Sequence, residues 1–134
     1  MDQFDRAKRS LIIAAIHSKD TGPEMAVRRI VHRLGFRYRL HVRSLPGRPD
    51  LVFPSRKKIV FVHGCFWHRH PECKYATSPK THKSFWQAKL TSNVARDRSV
   101  KRELKRMDWV VLTVWACELR KLDRLTERLI DFLC

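Results

Sequence analysis

The chain has 134 residues, with 29 Lys and Arg against 13 Asp and Glu, for a formal net charge of +16. That length suits one domain with its own core, and an apolar content of 43% excludes a disordered basic tail. No run approaches the roughly 18 consecutive apolar residues of a membrane span, and Met1–Ser10 is polar, so neither a membrane partner nor a secretory leader is expected.

Residues 5–17 read as a first helix, with Leu11, Ile12, Ala15 and Ile16 at helical spacing. A second begins at Thr21-Gly22-Pro23-Glu24, where Thr21 and Glu24 have capping-box spacing and Pro23 suits the first turn. Val27, Ile30, Val31 and Leu34 form its stripe, and Gly35 stops it. Residues 36–42 then alternate, with Phe36, Tyr38, Leu40 and Val42 against Arg37, Arg39 and His41, as in a half-buried strand. Leu45–Pro49 breaks it. Asp50–Phe53 is a short strand, Pro54–Lys57 a turn, and Ile59–Val62 a central strand covered on both faces. Residues 83–107 read as a long helix, 109–115 as another buried strand, and the leucines from 119 to 133 as a C-terminal helix. The order ααβββαβα makes a small mixed sheet with helices on both faces.

The densest chemistry lies in residues 63–73. Cys65, His70 and Cys73 have the donor types and spacing to wrap a tetrahedral Zn²⁺, and Cys117, directly after a buried strand, is the candidate fourth ligand. Ordinary buried thiols and a Cys65–Cys73 disulfide are the competing readings, the latter disfavoured in a reducing cytoplasm. His63 and His68 follow the apolar strand, where sites form in open α/β sheets, and can act as acid, base, metal ligand or phosphate donor. Asp50 is either a metal ligand or a turn-capping carboxylate, and considered alone the turn role is the commoner.

Asp97 occupies a missing position in the stripe Leu90, Val94, Val100, Leu104 and Met107. A carboxylate there needs a buried partner, with histidine the expected type and an arginine the alternative. The opposite face carries Arg98, Lys101, Arg102 and Lys105, suited to phosphates or to solvent. Phe66 and Trp67 inside the ligand loop, with Trp86, suit stacking or wedging against bases, or packing over a metal. A +16 chain needs a polyanionic partner, and nucleic acid is the first candidate.

Four ordered stretches carry a resemblance: Leu45-Pro-Gly-Arg-Pro-Asp50, Val62-His-Gly-Cys-Phe-Trp-His68, Asn93-x-x-Arg96-Asp97 and Trp115-x-Cys117-Glu118. In this order they resemble the very-short-patch-repair (Vsr) DNA mismatch endonucleases, from about Arg9 to the C-terminus. The resemblance implies an α/β, restriction-endonuclease-like core with a structural zinc site, as one domain over residues 1–134. It implies a nick 5′ of the T in T:G mismatches that arise from deaminated 5-methylcytosine. Asp50 would bind Mg²⁺ by its carboxylate and Val62 by its backbone carbonyl, with Glu24 holding metal-bound water. His68 would be the base, oriented by Asp97, and His63 would meet the scissile phosphate. Cys65, His70, Cys73 and Cys117 would hold Zn²⁺.

Phe66, Trp67 and Trp86 would insert beside the mismatch, with Ile13 at a wedge position that is usually Met, and Arg96 and Arg98 on the DNA. The partners implied are double-stranded DNA bearing a T:G mismatch and, as a candidate, the mismatch-repair protein MutL. The protein is expected to act as a monomer, because an asymmetric mismatch needs no two-fold axis. A bacterial cytoplasmic, nucleoid-associated setting follows. The usual nuclease Glu-x-Lys pair is absent, and His63 takes the place of its lysine. Arg69 and Ala116 depart from residues frequent in the family. The rival readings are a Vsr-like restriction or homing nuclease and a non-catalytic zinc-stabilised DNA-binding module.

Overall fold

The computed structural model describes residues 22–134; the expected helix over residues 5–17, the Thr21 half of the capping box and Ile13 lie outside them. Helix α1 runs Gly22–Arg33 with Val27 and Val31 buried. Gly35, at φ +91°, ends it as the sequence requires, because a left-handed residue follows most easily as glycine.

Strands β1 (Arg39–Leu40), β2 (Leu51–Phe53) and β3 (Lys58–His63) are followed by helix α2 (Lys83–Arg106), strand β4 (Val110–Trp115) and helix α3 (Leu122–Leu133). Short 3₁₀ turns fill residues 54–56 and 116–120. The strands form one sheet in the order β1-β2-β3-β4. The first two pairings are antiparallel, and β3 pairs β4 in parallel through the α2 crossover, so the sheet is mixed.

Side chains alternate between faces along a strand, which sorts the core into two clusters. Leu51, Phe53 and Val60 pack with Val27 and Val31 of α1 and with Leu125, Leu129 and Leu133 of α3. Val52, Ile59 and Phe61 face the other way, toward Leu104 of α2. His63 shares the parity of Phe61 and so projects toward α2, the face on which Asp97 lies. The central, doubly covered position expected for Ile59–Val62 belongs to β3.

Four expectations need correction. The strand over residues 36–42 shrinks to Arg39–Leu40, both exposed, because His41 adopts φ +45° and turns the backbone out of the ladder. Phe36 and Tyr38 still pack on the first cluster, so the alternation reflects half-burial rather than a long strand. The strand after α2 lies at a sheet edge, with Val110 54% exposed and only Val114 fully covered. Met107 leaves the α2 stripe: it caps the helix and is exposed. Finally, α3 begins at Leu122, with Leu119 in the preceding 3₁₀ turn.

One glycine ties the core to the loop before Asp50. Gly47 has φ +75°, and a Cβ there would lie 2.5 Å from Val100 Cγ1 on α2. Gly47→Ala is therefore expected to lower stability by about 1–3 kcal/mol through overpacking and a disfavoured φ. Denaturant unfolding checks this, and an unchanged midpoint would show that α2 yields at no cost.

Candidate active site and metal centre

Three groups of titratable side chains gather at and beyond the C-terminal end of β3. The first is Glu24, His41 and Asp50, each offering a donor atom within 4.8 Å of the others. Asp50 stands just before β2, and its Oδ2 accepts the Val62 N–H at 2.7 Å. The N–H and C=O of one strand residue look to the same edge, so the Val62 carbonyl faces the Asp50 side as well.

Glu24, buried on the first turn of α1, meets the Arg28 guanidinium one turn on, and its Oε2 accepts from His41 Nε2 at 2.9 Å. The capping role expected for Glu24 involves Thr21, which lies outside the described residues. Burial, joined by the neighbouring Glu24 charge, pushes the Asp50 carboxyl up to about 7, against the Val62 N–H and Arg28, which favour its charged form. Two carboxylates held together out of water call for a cation between them. The donor set fits a divalent ion.

The second group is His63, His68 and Asp97. Asp97 fills the gap in the α2 stripe, and its Oδ2 accepts from His68 Nδ1 at 2.6 Å, so the stripe's missing position faces a histidine. Burial works to raise the Asp97 carboxyl. The His68 hydrogen bond, then the His68 charge, with Lys101 beyond, outweigh it and hold the group below its ordinary value. His63, almost fully buried, stacks on His68 with ring centroids 3.8 Å apart. Burial first, then the adjacent His68, pushes His63 down to about 3. It is a neutral imidazole under ordinary conditions, which avoids two stacked cations.

The third group is Cys65, His70, Cys73 and Cys117, with donor atoms again within 4.8 Å of one another. Cys117 Sγ is 3.5 Å from His70 Nδ1, and the His70 ring stacks on Trp115, the last residue of β4. Cys65 and Cys73 are free thiols, not a disulfide. Burial and the neighbouring thiols push Cys117 up to about 12. Burial raises Cys65 as well, whereas at Cys73 hydrogen bonds, the Tyr75 N–H foremost, outweigh burial and lower it. Three sulfurs and an imidazole gathered in this way are the donor set a thiolate-seeking cation takes. Cys134 is exposed at the chain's end and outside the cluster.

Residues 64–82 contain no helix or strand, and Cys65 is their only buried residue. Arg69 binds this segment to itself, donating to the carbonyls of Thr77 at 2.8 Å and Ala76 at 3.1 Å and lying over the Phe66 ring. Phe66, Trp67 and Trp86 form one half-buried aromatic group, with centroids 5.1–5.8 Å apart. Arg96 and Arg98 are exposed on α2.

Three residues of the site have no role assigned from the sequence, although Asn93 opens one of the family stretches. His41 looked like an outward strand residue, and only its reversed backbone turns it to Glu24. Asn93 is buried and donates from Nδ2 to the Trp67 carbonyl at 3.1 Å, while Arg96 donates to its Oδ1. The stripe test that marks Asp97 would also have found Asn93, three residues after Leu90. Phe85, 62% exposed, stands against Trp86 at 5.3 Å and extends the aromatic group outward.

Carboxylates and histidines at the end of a central strand, on a chain of charge +16, are the equipment of a DNA-cleaving hydrolase. Comparison with known proteins narrows the class. The family model described as DNA mismatch endonuclease Vsr matches residues 1–75. The chain is 39% identical over 138 residues to the DNA mismatch endonuclease Vsr of Escherichia coli strain K12, covering 99% of this chain and 88% of that protein. It is 43% identical over 132 residues to the type II nicking enzyme V.XorIIP of Xanthomonas oryzae pv. oryzae, with 98% and 96% covered. It is also 41% identical over 128 residues to the type II nicking enzyme V.NmeAIP of Neisseria meningitidis serogroup A, with 96% and 91% covered. The chain belongs to the Vsr family of DNA mismatch endonucleases. Among the described residues no helix is long and apolar enough to cross a membrane.

Proposed function

We propose that this protein nicks one strand of duplex DNA on the 5′ side of the T in a T:G mismatch, as a monomer whose single restriction-endonuclease-like domain spans residues 1–134. The observation that carries the reading is the 2.6 Å hydrogen bond between His68 Nδ1 and Asp97, at the same strand end as the Asp50 carboxylate. Asp97 orients the imidazole and stabilises its charged form, so that Nε2 is the atom that takes a proton from the attacking water. His63, neutral and stacked on that ring, donates a hydrogen bond to the scissile phosphate without adding a second positive charge.

Asp50 and the Val62 carbonyl would hold Mg²⁺, with Glu24 positioned beside them to order its water. The ion supplies charge stabilisation on the phosphate and the leaving oxygen. Cys65, His70, Cys73 and Cys117 would hold a structural Zn²⁺, since three sulfurs and one imidazole suit zinc far better than magnesium. Phe66, Trp67 and Trp86 form a wedge that unstacks the mismatched step, Ile13 enters from the other side, and Arg96 and Arg98 meet phosphates. Action in the bacterial cytoplasm at the nucleoid, with MutL as a candidate partner, completes this reading.

Both of the nicking relatives described above carry the name type II nicking enzyme, which favours a second reading: a nuclease with the same metal and histidine set but a different sequence preference, in the service of a restriction system. Labelled duplexes that differ only by T:G or C:G at one site, incubated with Mg²⁺, separate the possibilities. The expected product is a single nick 5′ of the mismatched T. Equal cleavage of both duplexes would support the restriction role, and binding without cleavage would overturn the enzymatic reading. In the same assay His68→Ala is expected to lose about 10²–10⁴-fold in rate with zinc content intact.

A further inference from the structure

The Glu24–His41–Asp50 group contains a nitrogen donor that an all-oxygen magnesium site does not need. His41 is placed deliberately: its backbone is at φ +45°, and its N–H donates to the Asp50 carbonyl at 3.3 Å. A non-glycine residue in this region of φ costs energy and persists where its surroundings hold it, most often at functional sites. The imidazole is thereby held beside both carboxylates, with Nε2 2.9 Å from Glu24 Oε2.

The imidazole also lies within reach of a cation held by Asp50, beside which Glu24 would order a bound water. Donors on adjacent corners of an octahedron with bonds of about 2.1 Å lie about 3.0 Å apart. The three donor atoms of Glu24, His41 and Asp50 lie within 4.8 Å of one another, close to the span of one coordination sphere. Arg28 shares Glu24 Oε2 and balances its charge in the metal-free protein, and among the described residues no histidine other than His41 belongs to this group.

We propose that His41 is a third protein donor to the catalytic cation, and that its nitrogen shifts this site from magnesium toward first-row transition ions such as Mn²⁺. The inference rests on the reading of Asp50 as a metal ligand. Carboxylate and water oxygens serve Mg²⁺ and Mn²⁺ alike, whereas imidazole favours the transition ions. On donating, His41 carries its proton on Nδ1 and turns the Nε2 lone pair inward, while Glu24 keeps its Arg28 partner.

The test uses the full-length, zinc-loaded protein and the electron paramagnetic resonance of added Mn²⁺, so that binding is read without turnover. Wild type is expected to show nitrogen modulation from a bound imidazole in the pulsed spectrum. His41→Gln keeps a hydrogen-bond donor near Glu24 but removes the imidazole. It should lose that modulation and need about tenfold less Mg²⁺ to displace half the Mn²⁺. Wild-type modulation and an unchanged displacement ratio in His41→Gln would overturn the proposal. So would His41→Ala losing affinity while His41→Gln keeps it, because His41 would then act only by holding Glu24. Asp50→Asn is the separate control. If it binds Mn²⁺ as tightly as wild type, the cation lies elsewhere, and the metal assignment of Asp50 fails together with the His41 inference.

Discussion

Asp50→Asn is expected to lower strand nicking by about 10³-fold, the equivalent of several kcal/mol of transition-state stabilisation lost with a metal ligand. The same change should leave the unfolding midpoint unchanged or raise it. Burial and the neighbouring Glu24 charge push the Asp50 carboxyl up to about 7, so the native fold holds this charge at a cost. An amide removes the repulsion, and its oxygen can still accept the Val62 N–H that now lies 2.7 Å from Oδ2. Activity and stability therefore move in opposite directions, as they do where a site is built against local stability. Nicking rates under single-turnover conditions, paired with a thermal melt, provide the measurement. A folded Asp50→Asn variant that nicks within about threefold of wild type would remove Asp50 from the metal site.

Cys117→Ala should act by a different route. Among residues 64–82 only Cys65 is buried, so apolar packing contributes little to ordering a long segment that carries His68, Phe66 and Trp67. A cation held by Cys65, His70, Cys73 and Cys117 would supply that ordering. Structural zinc sites contribute on the order of 10 kcal/mol of apparent folding free energy in small domains. The two apolar clusters around the sheet do not include this segment, so they should persist when it is released. The variant is expected to bind less than one equivalent of zinc and to lose the near-ultraviolet signal of its packed tryptophans. Most of its far-ultraviolet signal should remain, and nicking should be abolished. Zinc released to a colorimetric chelator, together with circular dichroism, checks each part. Full zinc occupancy in Cys117→Ala would show that the fourth ligand lies elsewhere.

Much of the site can be read from residues alone where its parts are local or periodic. Cys65, His70 and Cys73 fall within one short segment, and Cys117 follows a strand, so their convergence needs only that the strand end near the loop. Asp97 is legible because a carboxylate at a stripe position is unfavourable without a partner, and the partner the fold supplies is His68, 29 residues away. The Glu24 group behaves differently. Its spacing from Thr21 offers a sufficient local explanation, which conceals the contact with His41 across 17 residues. His41 itself is hidden because alternation marks it as an outward strand residue, and nothing local announces its left-handed backbone.

The strand lengths divide along the same line. Ile59–Val62 is apolar on every residue and can only be a strand covered on both faces, so composition decides its place. Residues 36–42 alternate just as clearly, yet only Arg39 and Leu40 pair, because pairing depends on where β2 begins and on the turn at His41. For this protein the sequence by itself determined the helices among the described residues, the central strand, the thiol–imidazole set, the basic surface and the family. Each of these follows from periodicity, donor chemistry or an ordered motif. The tertiary structure decided which carboxylates come together, which imidazole is kept neutral and which histidine faces Glu24. Those outcomes depend on desolvation and on distances between residues far apart in the chain, and neither quantity exists until the chain has folded.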